Sequence, residues 1–303
     1  MTVPDRIHVR FCPSYEEGRL GPAVRGLLAA GGLNRSGGRI LVKPNLVRKI
    51  PVDRAGTTHP LLIVSVARAL WEAGWSVLVA DSPGMGATRS ILEAAGCLGA
   101  LEELGAEVRD LGDPRKIRLP SGPAVPLSGD VLESDALLNL PKWKTHCQVG
   151  FTIAVKNLYG CVLGFGKAMQ HVRRGHQYEA FLSMLLDIAE VAAPRWTLVD
   201  GIIAMEGRGP LTGTPREAGF LFAGADPLVL DRVLSHRMGF ESPRLFEVAA
   251  RRGVSVPDPE EIPLEGDALP AAFDPPFDLP APVPLTFHPL RRLFSRKAPE
   301  FRF

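Results

Sequence analysis

The sequence has no closely spaced cysteines: its four, Cys12, Cys97, Cys147 and Cys161, are 85, 50 and 14 residues apart. Without a C-x-x-C pair it holds no local motif for a zinc site or an iron–sulfur cluster. It also lacks any run of about 18 apolar residues, which argues against a membrane-spanning helix. The opening residues, Met1 to Phe11, carry no apolar core of a secretory signal, so a reducing, cytoplasmic setting is expected. Net charge is nearly absent too. Lysine and arginine number 35 against 33 acids, leaving +2 over 303 residues, which is too balanced for a surface that neutralises many phosphates, so nucleic acid is not an expected partner.

With 46% hydrophobic and 22% charged residues, the chain has the composition of a globular protein with a sizeable core. Arg39–Lys43, Ser76–Ala80, Ala136–Leu140, Thr197–Asp200 and Phe220–Ala223 are short, nearly continuous apolar runs of the kind that central strands bury on both faces. Pro60–Ala73 opens with a helix-compatible proline and spaces Leu62, Val66, Leu70 and Trp71 helically. Ala87–Leu104, Tyr178–Ala192 and Pro227–Met238 read the same way. The alternation predicts an α/β fold, a mainly parallel sheet flanked by helices. Eleven of the 28 prolines fall between Pro257 and Pro299, excluding regular helix or central strand there. The expected division is therefore an α/β domain over residues 1–256 and a Pro-rich, extended wrapping tail over 257–303. The basic and aromatic end of that tail, Leu290 to Phe303, is expected to dock on its own domain, the alternative being contact with acidic lipid or a partner.

Lys43, Asp81, Lys142 and Asp200 each fall at, or just beyond, the carboxyl end of a predicted strand, the edge where open parallel sheets bind ligands. One cleft is expected to collect them. The stretch from Ala136 to Tyr178 contains no Asp or Glu in 43 residues, yet holds Lys142, Lys144, Lys156, Lys167, Arg173 and Arg174 with His146, His171 and His176. Such a distribution creates a local positive field and nominates an anion as ligand. In Asn139-Leu-Pro-Lys-Trp-Lys-Thr-His146, read as a loop after a strand, Lys142, Lys144 and Thr145 are candidate carboxylate or phosphate contacts, and His146 is a candidate proton carrier. Alternation points Lys142 and Lys144 one way and Trp143 into the core. Lys156, beside apolar Ile153, Ala154 and Val155, is a candidate base or charge-holding group. Asp81-Ser-Pro-Gly84-Met-Gly86 resembles a phosphate-cradling turn, with Asp81 as a catalytic candidate, but matches no nucleotide motif. Asp200, Glu206 and Asp226 form a candidate oxygen-ligand set that would suit Mg²⁺, the alternative being pairing with nearby lysines.

The stretches Val42-Lys-Pro-Asn-Leu46, Thr57-Thr-His-Pro60, Asp81-Ser-Pro-Gly84, Leu140-Pro-Lys-Trp-Lys-Thr-His146, Val155-Lys-Asn-Leu-Tyr-Gly-Cys161, Val199-Asp-Gly201 and Gly224-Ala-Asp-Pro-Leu-Val-Leu-Asp231 together resemble the domain of unknown function 362 family. The similarity runs in order from about Arg39 to Met238. It implies an α/β domain that sometimes accompanies bacterial-type ferredoxin modules, and it implies site roles for Lys43, Asn45, Asp81, Lys142, Lys144, His146, Lys156, Asn157, Asp200 and Asp226. It supplies no reaction. The chain departs from ferredoxin-bearing members by lacking their clustered cysteines. The expected function is an enzyme that binds a small carboxylate or phosphate in a lysine-rich cleft. The alternatives are an accessory protein working with a separate ferredoxin and a docking module for an acidic partner.

Overall fold

A computed structural model describes residues 6–35, 37–164 and 178–283. Lys167, His171, Arg173, Arg174, His176 and the basic chain end from Leu290 lie outside the described residues. In chain order the strands are β1 (Ile7–Phe11), β2 (Arg39–Pro44), β3 (Ser76–Asp81), β4 (Glu107–Asp110), β5 (Pro114–Arg118), β6 (Ala124–Ser128), β7 (Ala136–Leu140), β8 (Lys142–His146), β9 (Gly150–Thr152), β10 (Trp196–Glu206), β11 (Thr214–Gly224) and β12 (Leu264–Gly266). The helices are α1 (Glu17–Ala30), α2 (Pro60–Glu72), α3 (Thr88–Ala94), α4 (Leu98–Glu103), α5 (Gly129–Glu133), α6 (Ala154–Leu158), α7 (Tyr178–Ala192), α8 (Pro227–Arg237) and α9 (Arg244–Arg251).

The main sheet runs β12-β1-β11-β10-β7-β2-β3-β4, with β8 joined to β10 and β9 joined to β8. From β10 through β4 every neighbouring pair is parallel. The five apolar runs all became strands of this sheet, although Phe220–Ala223 lies in β11, which is antiparallel to both β10 and β1. Strand alternation explains why these runs are apolar throughout. Ile40, Val42, Leu138 and Leu140 enter one core with residues of α1 and α2. Leu41, Leu137 and Val199 enter a second core with α6, α7, α8 and α9.

Three local readings are corrected. The single helix expected over Ala87–Leu104 is two, α3 and α4, because the chain reverses through Gly96 at φ +74°, a conformation that interrupts a helix. Lys142–His146 is a strand rather than a loop: Pro141 ends β7, and the chain re-enters the sheet beside β10. Thr197–Asp200 extends to Glu206, through a register shift between Gly201 and Ile203.

The described part of the proline-rich segment contributes β12, a parallel partner of β1 at the sheet margin, and the rings of Phe273 and Phe277. These lie 5.6 and 5.0 Å from the ring of Trp143, which is fully buried, as the alternation argument required. Replacing Phe277 by alanine is therefore expected to lower the unfolding free energy by about 3 kcal/mol through the cavity it leaves. Urea denaturation measures the loss, and the tryptophan emission of the folded variant should shift to the red as water approaches Trp143.

Candidate functional site

Parallel strands β2 and β3 end side by side, placing Lys43 and Asp81 2.8 Å apart in the lining of a cavity of about 600 Å³. Both side chains are buried. Asp81 also accepts the backbone N–H groups of Leu46 and Ser82, each at 2.8 Å, so its carboxylate is a pinned counter-ion for Lys43 rather than an idle base. Gly160 closes over this pair: a Cβ there would lie 2.5 Å from Lys43 Nζ and 2.7 Å from Asp81 Oδ1, so any larger residue displaces one of them.

Lys144, Lys156 and His146 line the same cavity. The Lys144 side chain is fully buried, and its Nζ donates to Asn45 Oδ1 at 2.7 Å and to the Gly56 carbonyl at 2.6 Å. Neither acceptor carries charge. Burial lowers its pKa to about 7, helped by repulsion from Lys156 and Lys142. Lys156, presented by α6, holds its ammonium 4.7 Å from the ring centre of Tyr159 and 5.6 Å from that of Phe181, where ring quadrupoles favour the cation. His146 Nδ1 accepts the Gln148 amide at 3.1 Å, which places the proton of a neutral ring on Nε2.

Asparagines tie the wall together. Asn45 donates from Nδ2 to Asn157 Oδ1 at 2.9 Å, and Asn157 donates from Nδ2 to Asn139 Oδ1 at 2.8 Å. Asn139 in turn donates to the Ala154 carbonyl at 3.1 Å. Gly84 also lines the cavity, but its amide is already donated to the Val47 carbonyl at 3.0 Å, so the turn does not cradle a phosphate with that group.

The expectation of one cleft for all candidates is corrected by a second cluster behind it. Lys142 Nζ donates to Asp200 Oδ2 at 2.9 Å and to the Tyr15 hydroxyl at 3.0 Å; Tyr15 donates to Asp200 Oδ1 at 2.6 Å and the His59 amide to Oδ2 at 2.8 Å. Lys142 and Asp200 are buried, and neither borders the cavity. The His59 ring stacks on Tyr15 at 3.5 Å, and burial lowers its pKa to about 4 against the opposing pull of Asp200. Sequence reasoning missed Tyr15 and His59 as site residues; His59 sat within a family-like stretch, while nothing near Tyr15 in the chain marks it.

Thr145 donates to the Gly207 carbonyl at 2.9 Å, and neither it nor Gly86 borders the cavity. The Mg²⁺ expectation fails on geometry. Asp200 and Glu206 sit at opposite ends of a seven-residue stretch of one strand, about 20 Å apart at the rise of an extended chain. Glu206 pairs with Arg216 at 3.1 Å, and Asp226 caps α8 by accepting the Leu228 amide at 2.7 Å. Among the described residues, no group of three or more His, Cys, Asp or Glu is placed to hold a metal ion, and no helix is long and apolar enough to cross a membrane.

The chain is 35% identical over 243 residues to the thylakoid-associated protein sll1697 of Synechocystis sp., covering 78% of this chain and 76% of that protein. Among solved structures, the lactate racemase apoprotein of Thermoanaerobacterium thermosaccharolyticum superposes with a TM-score of 0.45 at 14% identity, over 70% of this chain and 54% of that one. Residues 40–236 match the family described as domain of unknown function (DUF362), and the chain belongs to that family.

Proposed function

We propose that the cavity binds a small carboxylate or phosphate and that the protein is an enzyme acting on it, in keeping with a cytoplasmic setting. The observation that carries this reading is the charge balance of the wall: Lys43, Lys144 and Lys156 border the cavity with Asp81 as the acid among its described lining residues. Asp81 is already matched to Lys43. An entering anion meets a wall richer in lysines than in acids, in a region partly shielded from water, where the attraction is stronger than at an open surface. Lys156 and the Lys43–Asp81 pair would orient the ligand, and Lys144 would hold or release a proton near neutral pH. His146, carrying its proton on Nε2 when neutral, supplies a donor of the right type for proton transfer.

Differential scanning fluorimetry tests the reading on the intact protein with phosphate, malonate and citrate. A bound anion at about 100 times its Kd adds about 2.7 kcal/mol and raises Tm by a few degrees. That shift should shrink in Lys156→Met and Lys144→Met while both variants keep a cooperative melt. Absence of any stabilising anion, or equal shifts in both variants, sinks the proposal.

The depressed pKa of Lys144 gives a second prediction with a fixed sign. An anion beside it favours the ammonium form and raises its pKa above about 7. Malonate binding near pH 8 should therefore take up part of a proton per site, whereas at pH 6 Lys144 is largely protonated already and uptake should shrink. Calorimetry in buffers of different ionisation enthalpy reads this directly, and Lys144→Met should abolish it.

A further inference from the structure

Lys144 is held in a way that a simple counter-charge does not require, and we infer that its amine forms an imine with a small oxo-carboxylate admitted to the cavity. The inference rests on the anion-site reading for the placement of the carboxylate and adds the chemical class of the molecule and the reacting atom.

The asparagine chain has a fixed direction. The Ala154 carbonyl can only accept, so the group of Asn139 facing it is the Nδ2 amide. Asn139 Oδ1 is then the acceptor for Asn157 Nδ2, and Asn157 Oδ1 for Asn45 Nδ2. Each amide fixes the next, and the chain ends with Asn45 Oδ1 facing Lys144 Nζ at 2.7 Å. The Gly56 carbonyl, 2.6 Å away, is the other acceptor. A neutral amine has two N–H bonds and one lone pair. Two fixed acceptors take the two N–H bonds, and the lone pair occupies the remaining direction on a nitrogen whose side chain borders the cavity.

Uncharged acceptors also leave the ammonium form without a carboxylate, in contrast to Lys43 and Lys142, which have Asp81 and Asp200. Burial and the neighbouring lysines press the same way. This is how a lysine is prepared as a nucleophile: desolvated, beside other cations, and largely neutral at physiological pH. With the carboxylate of the ligand on Lys156, the fraction of Lys144 that is neutral attacks the oxo carbon through its lone pair, the C=O π pair moves to oxygen, and the ammonium fraction replenishes the amine by losing its proton to solvent. The carbinolamine then loses water, made of the carbonyl oxygen and the two amine hydrogens, leaving C=N; His146, which lines the same cavity, would pass the proton to the departing hydroxyl. No electrons are gained or lost, and addition of water reverses the step.

The test uses the full chain at pH 7.5 with sodium cyanoborohydride and, separately, glyoxylate, pyruvate and 2-oxoglutarate. Reduction of an imine fixes the adduct, and peptide mapping locates it. The expected result is one adduct per chain on Lys144, formed faster than on any other lysine by at least one of the three acids. Asn45→Asp sets a carboxylate against the amine and should suppress trapping at pH 7.5, with recovery as the pH is raised. Trapping that is indifferent to this substitution, or is spread evenly over surface lysines, overturns the inference. Malonate, which has no oxo group, separates the two readings. Stabilisation by malonate without any Lys144 adduct removes the imine and keeps the anion site, whereas a Lys144 adduct without malonate binding keeps the imine and removes the anion site. Failure of both removes both.

Discussion

Taking lysine ammonium groups out of water at the carboxyl end of the sheet is the constraint around which this structure is arranged. An unpaired buried charge is disfavoured by several kcal/mol, and Lys43, Lys142 and Lys144 are all essentially without solvent contact. The sheet solves two of the three cases by register. Lys43 on β2 and Asp81 on β3 reach each other across adjacent parallel strands, and Lys142 stands opposite Asp200 in the β8–β10 pairing. For Lys144 it provides only neutral oxygens. The charge on that nitrogen is consequently set near neutral pH by what lies beside it.

The same wall links the two layers of the fold. Asn157 stands on α6, Asn139 on β7 and Asn45 just beyond β2, so the amide chain ties helix to sheet beside the cavity, whose lining includes Asn45 and Asn157. Thr58 adds a second tie, accepting the Asn45 amide at 2.9 Å and donating to the Leu140 carbonyl at 2.7 Å. Polar groups buried this deeply destabilise unless every one is satisfied, and here the partners are drawn from four separate stretches of chain. Position and orientation of Lys144 are thus properties of the folded sheet edge rather than of its own strand.

Much of this edge was legible in the sequence because it depends on local signals. Continuous apolar runs marked the parallel strands, helical spacing marked α2, α7 and α8, and the lack of acids from Ala136 to Tyr178 pointed to a positive cavity that Lys144 and Lys156 border. What escaped was pairing between distant segments. Lys142 and Lys144 share a side of β8, yet one meets Asp200 and the other meets Asn45, because the β8–β10 register shifts between Asp200 and Met205. Asp226 was misassigned although Asp-Pro at a helix start is a capping signal. Asp200 and Glu206 were grouped because the expected strand stopped at Asp200, whereas β10 runs on to Glu206 and six residue steps of strand span about 20 Å. Tyr15 reaches Asp200 across 185 positions, a contact that only topology creates.

The two clusters are separate in contacts but coupled in field. Lys142 is neutralised by Asp200, yet its ammonium still disfavours a proton on Lys144, while Asp81 favours one and Lys43 opposes it. A neutral ion pair acts on a neighbour as a dipole, and in a poorly solvated interior its nearer pole dominates. The Lys142–Asp200–Tyr15 cluster therefore has a consequence at the cavity without bordering it: by fixing an ammonium on the strand that also carries Lys144, it helps hold the Lys144 amine in the form that has a lone pair to offer.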